Sequence, residues 1–246
     1  MLEEFSLAGN VAIVSSCGRS WTAELALALS EAGSAVVVVT DDQGKIAAVN
    51  AALQGRDFLC ISADLTDDRQ VEKAVAQTVS RYGKVDVLVN SLNLEVWKPA
   101  LEMTPADWSG VMGHNLTPAF LFSRAAGRRM VAQKKGSIVN IISGLAERGV
   151  PNGAAYCASL GGVLQLTRAL ALEWAAENVR VNAIGVGWQE KPLAANERDA
   201  LGRYIPSGRR ARAGDVMPMA VFLSSGASSY TSGCFYVVDG GLMARA

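Results

Sequence analysis

One histidine in 246 residues leaves too few imidazoles for a histidine-rich metal centre. That residue, His114, stands beside Asn115 and reads as its structural neighbour, so no metal is expected. The four cysteines, Cys17, Cys60, Cys157 and Cys234, are far apart and form no Cys-x-x-Cys pair. This excludes the common zinc and thiol-redox motifs and reads as reduced thiols in a cytoplasmic protein. Neither sign of charge is in excess, with Lys plus Arg and Asp plus Glu at 23 each. Without a basic run or an interleaved aromatic-basic motif, nucleic acid and anionic membranes are not expected partners. No apolar run reaches the ~18 residues of a membrane span. Glu3 and Glu4 occupy positions where a secretory signal would be basic.

What the chain does have is apolar residues, 50% of the total, enough for a substantial core in a chain of this length. They fall into short β-branched runs: VAIVS (11–15), AVVVVT (35–40), FLCIS (58–62), VDVLVN (85–90), SIVNII (137–142), VRVNAIGV (179–186) and FYVV (235–238). Stretches of helical period separate most of these runs. Near-continuous apolar strands joined through helices predict a parallel sheet covered on both faces. The expected architecture is therefore α/β, a single doubly wound Rossmann domain over residues 1–246 with a seven-stranded parallel sheet. No repeat, linker or low-complexity segment interrupts it.

In such a fold ligands bind beyond the carboxyl ends of the strands. Those ends are Ser15–Ser16, Thr40–Asp41, Asp64, Asn90–Ser91, Ser143 and Val186–Gly187. Residues 187–214 have weak periodicity and contain Pro192 and Pro206. The pattern leaves two readings open there, a lid over the site or an ordinary surface connection.

The order and spacing of several motifs resemble the short-chain dehydrogenase/reductase family over nearly the whole chain. VDVLVNSLN is similar to its fourth-strand motif, VMGHNLTPAF carries its helix-four asparagine as Asn115, and SIVNIIS ends on its serine, Ser143. Tyr156 follows thirteen residues later, VRVNAIGVGW resembles the V-N-x-x-x-P-G segment, and YTSGCFYVVDGGL resembles the last strand. Asp64, in SADLTD, matches the residue that holds the adenine amino group. The resemblance implies a nicotinamide-dependent alcohol dehydrogenase or ketoreductase in which the tyrosine is the general acid/base and the serine polarises the substrate oxygen. A lysine four residues after the tyrosine would hold the ribose and lower the tyrosine pKa.

The chain departs from this pattern where the cofactor would lie. The turn expected as T-G-x-x-x-G-x-G reads Ser15-Ser16-Cys17-Gly18-Arg19-Ser20-Trp21-Thr22, so Ser16, Ser20 and Thr22 replace the three motif glycines. Each adds a β-carbon where the backbone must turn tightly and approach a pyrophosphate. Gly18 still offers local freedom, and a helix N-terminus still favours an anion. Asp41 could accept from a ribose hydroxyl and would repel a 2′-phosphate, favouring NAD over NADP. Alternatively, Asp41 and Asp42 are solvated acids at the start of a helix. The family lysine is Leu160, which supplies neither charge nor donor. An unassisted tyrosine titrates near ~10 and is a poor proton acceptor at neutral pH. Ser91, Leu92 and Asn93 replace the end of N-N-A-G, Val186 replaces the P-G proline, and Lys191 replaces a threonine.

Among the candidate residues, Asn115, Ser143 and Tyr156 form the catalytic set. Ser16, Gly18, Ser20, Asp41, Asp64 and Asn90 form the degenerate cofactor set. The expectation is a chain that holds no cofactor tightly, NAD if any, and acts as a pseudoenzyme subunit of a hetero-oligomeric alcohol or hydroxyacyl-CoA dehydrogenase. The alternatives are an NAD-dependent dehydrogenase or ketoreductase with an atypical site, and non-redox chemistry on the same scaffold. Apolar residues on several faces of the helix near 154–176 predict burial on both sides, and so a homo- or heterotetramer, in the latter case with an active paralogue.

Overall fold

The computed structural model describes residues 2–18, 20–190 and 204–244. Seven strands form one sheet in the order β3-β2-β1-β4-β5-β6-β7, with every neighbouring pair parallel. They are β1 (Val11–Gly18), β2 (Ala35–Thr40), β3 (Phe58–Ser62), β4 (Val87–Asn93), β5 (Gly136–Ser143), β6 (Val179–Val186) and β7 (Phe235–Val238). The helices are α1 (Thr22–Glu31), α2 (Gln43–Ala52), α3 (Asp68–Tyr82), α4 (Pro105–Gln133), α5 (Ala154–Trp174) and α6 (Ala213–Ser224).

The alternation of side chains along each strand divides the core in two. Ile13, Val37, Leu88, Ile138 and Val181 face α3, α4 and α5, where Phe122, Met130, Leu160 and Leu164 meet them. Ala12, Val14, Val36, Val38, Val89 and Ile184 face α1, α2 and α6, against Leu25, Leu29, Val49, Val216 and Leu223. This is the doubly wound sheet that the apolar runs predict. Strand order reverses between β1 and β4, the place where folds of this kind bind ligands.

Local signals explain the helix boundaries. Thr104 and Asp107 form a capping box at α4, and Asp67 caps α3 through the amides of Arg69 and Gln70. Asp42 caps α2 by accepting from Gly44 and Lys45.

Two strand ends differ from the sequence reading. β1 does not end at Ser15 but continues to Gly18, and β4 continues to Asn93. The apolar surface of α5 is largely consumed within the chain. Leu160, Val163 and Leu164 are buried in the core, and Trp174 packs over Gly127 of α4 so closely that a β-carbon at Gly127 would meet the indole at 2.6 Å. Leu172, 84% exposed, is the large apolar side chain that α5 turns to solvent. Of the segment read as a possible lid, 187–214, residues 191–203 lie outside the described residues, Lys191 among them. Its flanks are tied together, because Ala211 donates to the Trp188 carbonyl and Glu190 to that of Ala211, both at 2.9 Å.

Candidate active site

Ser143 ends β5, and Tyr156 lies in the first turn of α5; both line a cavity of about 220 Å³ at the carboxyl edge of the sheet. Asn93 and Glu95 beyond β4, Trp97, and the segment Val186–Gln189 beyond β6 complete much of its wall, and Arg210 joins them. The Tyr156 hydroxyl donates to Asn93 Oδ1 at 2.6 Å, and its ring leans on Trp97 with centroids 5.4 Å apart. Asn93 Nδ2 in turn donates to Glu95 Oε1 at 3.3 Å. The position that the family fills with glycine thus carries a carboxamide that holds the phenol. Ser143 Oγ accepts from the Leu145 amide at 3.2 Å, which fixes the start of the turn after β5.

Asn115 has a supporting place. Its carboxamide accepts from the Leu94 amide at 2.7 Å, and it donates to the Leu94 carbonyl and to Ser159 Oγ, both at 3.0 Å. It therefore pins the end of β4 to α4 and α5. Leu160 is fully buried among α4, α5 and the sheet. No ammonium stands at that position.

The turn between β1 and α1 has the opposite character. β1 pairs with β4 through Ser16–Ser91, Cys17–Leu92 and Gly18–Asn93. Gly18 has φ +61°, and a β-carbon on it would meet the Asn93 carbonyl oxygen at 2.1 Å. Past it, the side chains that replace the motif glycines bond one another. Ser16 Oγ meets Ser20 Oγ at 2.7 Å and also reaches Thr22 Oγ1. Lys45, projecting from α2, donates to Ser20 Oγ at 2.9 Å and Thr22 Oγ1 at 3.2 Å. Burial lowers the pKa of this ammonium, and the carboxylates of Asp42, Glu24 and Asp41 oppose the shift. Beneath the turn, burial raises the Cys17 thiol to about 11. In this turn the side chains at the three motif-glycine positions bond one another and Lys45, where the family has bare backbone facing a pyrophosphate.

The other cofactor candidates are scattered. Asn90 is buried and accepts from Ser15 Oγ at 2.7 Å while donating to Asn140 Oδ1 at 2.8 Å; Asn140 continues the chain to Thr167 Oγ1 at 2.8 Å. It joins β1, β4 and β5 through a polar network inside the sheet and is not among the residues lining the cavity. Asp41 is exposed beside the α2 cap, consistent with the reading of solvated acids at a helix start. Asp64 is exposed and turns its carboxylate to the amide and hydroxyl of Thr66, at 2.8 and 2.7 Å. Motif reasoning missed Lys45, Glu95, Trp97, Trp188 and Arg210. Lys45 had a weak local signal, three residues after a helix cap. Arg210 had none, because its place in the cavity depends on the return of a distant segment.

His114 is exposed, with Nδ1 2.8 Å from the Gly110 carbonyl. No cluster of metal-ligating side chains occurs among the described residues. No helix among them is long and apolar enough to cross a membrane.

Comparison with known proteins agrees with this architecture. A family model described as Enoyl-(Acyl carrier protein) reductase matches residues 17–243. The 2-dehydro-3-deoxy-D-gluconate 5-dehydrogenase of Escherichia coli is 36% identical, with 100% of both chains covered. D-Threitol dehydrogenase of Mycolicibacterium smegmatis is 34% identical over 97% of this chain and 94% of its own. Among solved structures, a gluconate 5-dehydrogenase from Burkholderia cenocepacia, in complex with NADP and tartrate, superposes with a TM-score of 0.92 at 31% identity, covering 100% of this chain and 99% of that one. On the strength of the family match, the full-length relatives and the fold, the chain belongs to the short-chain dehydrogenase/reductase family.

Proposed function

We propose that this chain binds a hydroxy or oxo compound in the Ser143–Tyr156 cavity and serves as a subunit of an alcohol or hydroxyacyl-CoA dehydrogenase, with hydride transfer carried out by a paralogous partner. The observation that carries this reading is the filled turn, where Ser16, Ser20 and Thr22 bond one another and Lys45 covers them. Leu160 removes the second cofactor-facing group. The serine and tyrosine still offer hydroxyls to a substrate oxygen. The inactive type of subunit in heterotetrameric 2-[hydroxy(phenyl)methyl]succinyl-CoA dehydrogenase resembles this combination. In such an assembly the chain would stabilise its partner through the exposed face of α5 at Leu172 and the half-exposed Val237 of β7.

A second reading is an NAD-dependent dehydrogenase with an atypical site. Kinship favours it over the first, because the full-length relatives are sugar-acid and polyol dehydrogenases. In that case Ser143 would polarise the substrate oxygen and Tyr156 would exchange a proton with it, the phenol being passed from Asn93 to the substrate. A nicotinamide cofactor would supply the hydride acceptor, and Asp41 would favour NAD over its 2′-phosphorylated form.

Calorimetric titration of the purified chain with NAD and NADP, paired with a turnover assay on gluconate, separates the two. The first reading expects no binding tighter than the millimolar range and no turnover, and a mixed oligomer by native mass measurement when a paralogue with an intact glycine turn is co-expressed. Low-micromolar NAD affinity with turnover establishes the second reading instead.

A further inference from the structure

We infer that Trp97 is the specificity residue of the Ser143–Tyr156 cavity, a stacking platform beside the tyrosine, so that the ligand carries an aromatic ring on its alcohol or carbonyl carbon. The inference rests on the reading that this cavity binds a hydroxy or oxo compound.

Two of the five tryptophans, Trp97 and Trp188, line this cavity. Trp97 is the more exposed of the two, at 49%. Its exposure is not that of a loose side chain. The Lys98 amide next to it donates to the Asn152 carbonyl at 2.8 Å, and Lys98 Nζ pairs at 2.6 Å with Asp107 of the α4 capping box. The segment is thereby tied both to the turn before α5 and to the start of α4. The indole packs so closely on Gly153, the residue before α5, that a β-carbon there would meet its Cζ3 at 3.0 Å.

The indole leans on the Tyr156 ring, with planes inclined by 60°. Tyr156 and Ser143 line the cavity together with it. The first group attached to a carbon held at these hydroxyls therefore lies within reach of the indole. A tryptophan already held in place loses little entropy on binding, since its side chain has only two torsions. Its ring attracts a second ring in offset or edge-to-face packing, beyond what burial of the same area gives.

Polar side chains form part of the lining, but Ile141, Ile142, Leu145 and Val186 stand in the same wall. A polyol hydroxyl pressed against them or against the indole would lose its water without a hydrogen bond in return. A flat apolar ring loses nothing there. A cavity of about 220 Å³ is smaller than the ~300–1,000 Å³ of drug-sized sites, which suits one ring and a short side chain. An aryl ketone or benzylic alcohol is a different class from the sugar acids and polyols in the relatives' names.

The test is a ligand-observed NMR titration of the purified chain without cofactor. The probes are 1-phenylethanol, 1-cyclohexylethanol, 2-butanol and glucitol. Wild type is expected to bind 1-phenylethanol about threefold to tenfold tighter than its saturated counterpart, the range of an aromatic pair beyond area burial. It should also bind 1-phenylethanol tighter than glucitol. Trp97→Ala should abolish the aryl preference, and Trp97→Phe should retain much of it. Affinity for 2-butanol, which has no ring, should change far less, which shows that the Ser143–Tyr156 end survives loss of the indole. Thermal unfolding controls for the fold, and Trp97→Leu, which keeps apolar bulk without a ring, gives the same comparison if Trp97→Ala is unstable. If 2-butanol or glucitol binds to wild type without an aryl preference, or the preference survives in Trp97→Ala or Trp97→Leu, the assignment to Trp97 is overturned. If none of the four binds, the reading of the cavity itself falls, and the inference with it.

Discussion

On the β1 side of the sheet's carboxyl edge, polar side chains meet one another; on the β5–β6 side, they line a cavity. Ser16, Ser20, Thr22 and Lys45 form a closed set of hydrogen bonds, and the strand beneath them zips onto β4 as far as Asn93. Ser143, Tyr156, Glu95 and Arg210 come from four different segments and converge on open space. A hydroxyl that is already bonded gains little from a ligand, because binding would exchange one hydrogen bond for another. The cavity groups are also hydrogen-bonded, but to partners at the cavity wall rather than to one another. One edge of one fold thus holds two polar clusters of different character.

The sharpest way to break this contrast is Leu160→Lys. A simple view of the family motif says that this change restores a missing part. The side chain at 160 is fully buried between helices and sheet, and the hydroxyls of the β1–α1 turn bond one another. The expected outcome is a loss of about 3–5 kcal/mol in urea unfolding, as for a buried charge without its counterpart, and no gain in NAD affinity. An unchanged midpoint together with new turnover would show that the turn opens readily.

Gly18→Ala probes the zipped strand from the other side. Gly18 takes a left-handed φ, which costs other residues roughly 1–2 kcal/mol. The added methyl must also displace the Asn93 carbonyl, 2.1 Å from the β-carbon position. A total loss of about 2–4 kcal/mol is expected, by the usual scale for backbone incompatibility with contact strain. A variant as stable as wild type would mean that β1 and β4 separate at Gly18 in solution. In that case the comparison between a closed and an open half would lose its basis.

The two halves were not equally legible in the sequence. The sheet was readable because parallel strands buried on both faces leave near-continuous apolar runs; 35–40, 58–62, 179–186 and 235–238 coincide with strands to the residue. The missing glycines and Leu160 were readable as departures from a motif. What filled the vacated turn was not, because the hydroxyl cluster needs Lys45 from α2, and pairing across β1 and β4 is a non-local property. What covers α5 was not legible either: α4 covers part of the helix surface, and the pattern of one helix cannot show its neighbour. Asn90 looked like an edge residue from its place in a strand motif, whereas its side chain lies in the layer shared with Ser15 and Asn140. Arg210 carried no local signal, since only the return of the chain after β6 brings it to the cavity.

The smallest effect expected reports on closure itself. Cys17 lies on the zipped part of β1, and its thiol donates toward the His114 carbonyl at 3.5 Å. Burial raises its pKa from the ordinary 9.0 to about 11, with the nearby Asp41 carboxylate adding to the shift and the Asn93 amide and Lys45 opposing it. The folded state therefore holds this proton more tightly than the unfolded chain. Its contribution to stability is fully present below pH 9 and is lost as the pH rises through 9 toward 11, where the unfolded chain has shed the proton first. Two pKa units set a ceiling of about 2.7 kcal/mol, and about half of it, ~1.4 kcal/mol, is expected by about pH 10. Lys45 works in the opposite sense: its lowered pKa means that the unfolded chain binds more protons in its window, so stability rises with pH there. Urea unfolding of wild type, Cys17→Ala and Lys45→Met at about pH 8 and about pH 10 separates the two contributions. Wild type should lose more stability than Cys17→Ala between these values, and Lys45→Met should lose more than wild type. If Cys17→Ala and wild type fall in parallel, and the thiol alkylates in the native state as fast as an exposed cysteine, water reaches the strand beneath the turn. The cofactor half would then be open, and the dehydrogenase reading would gain accordingly.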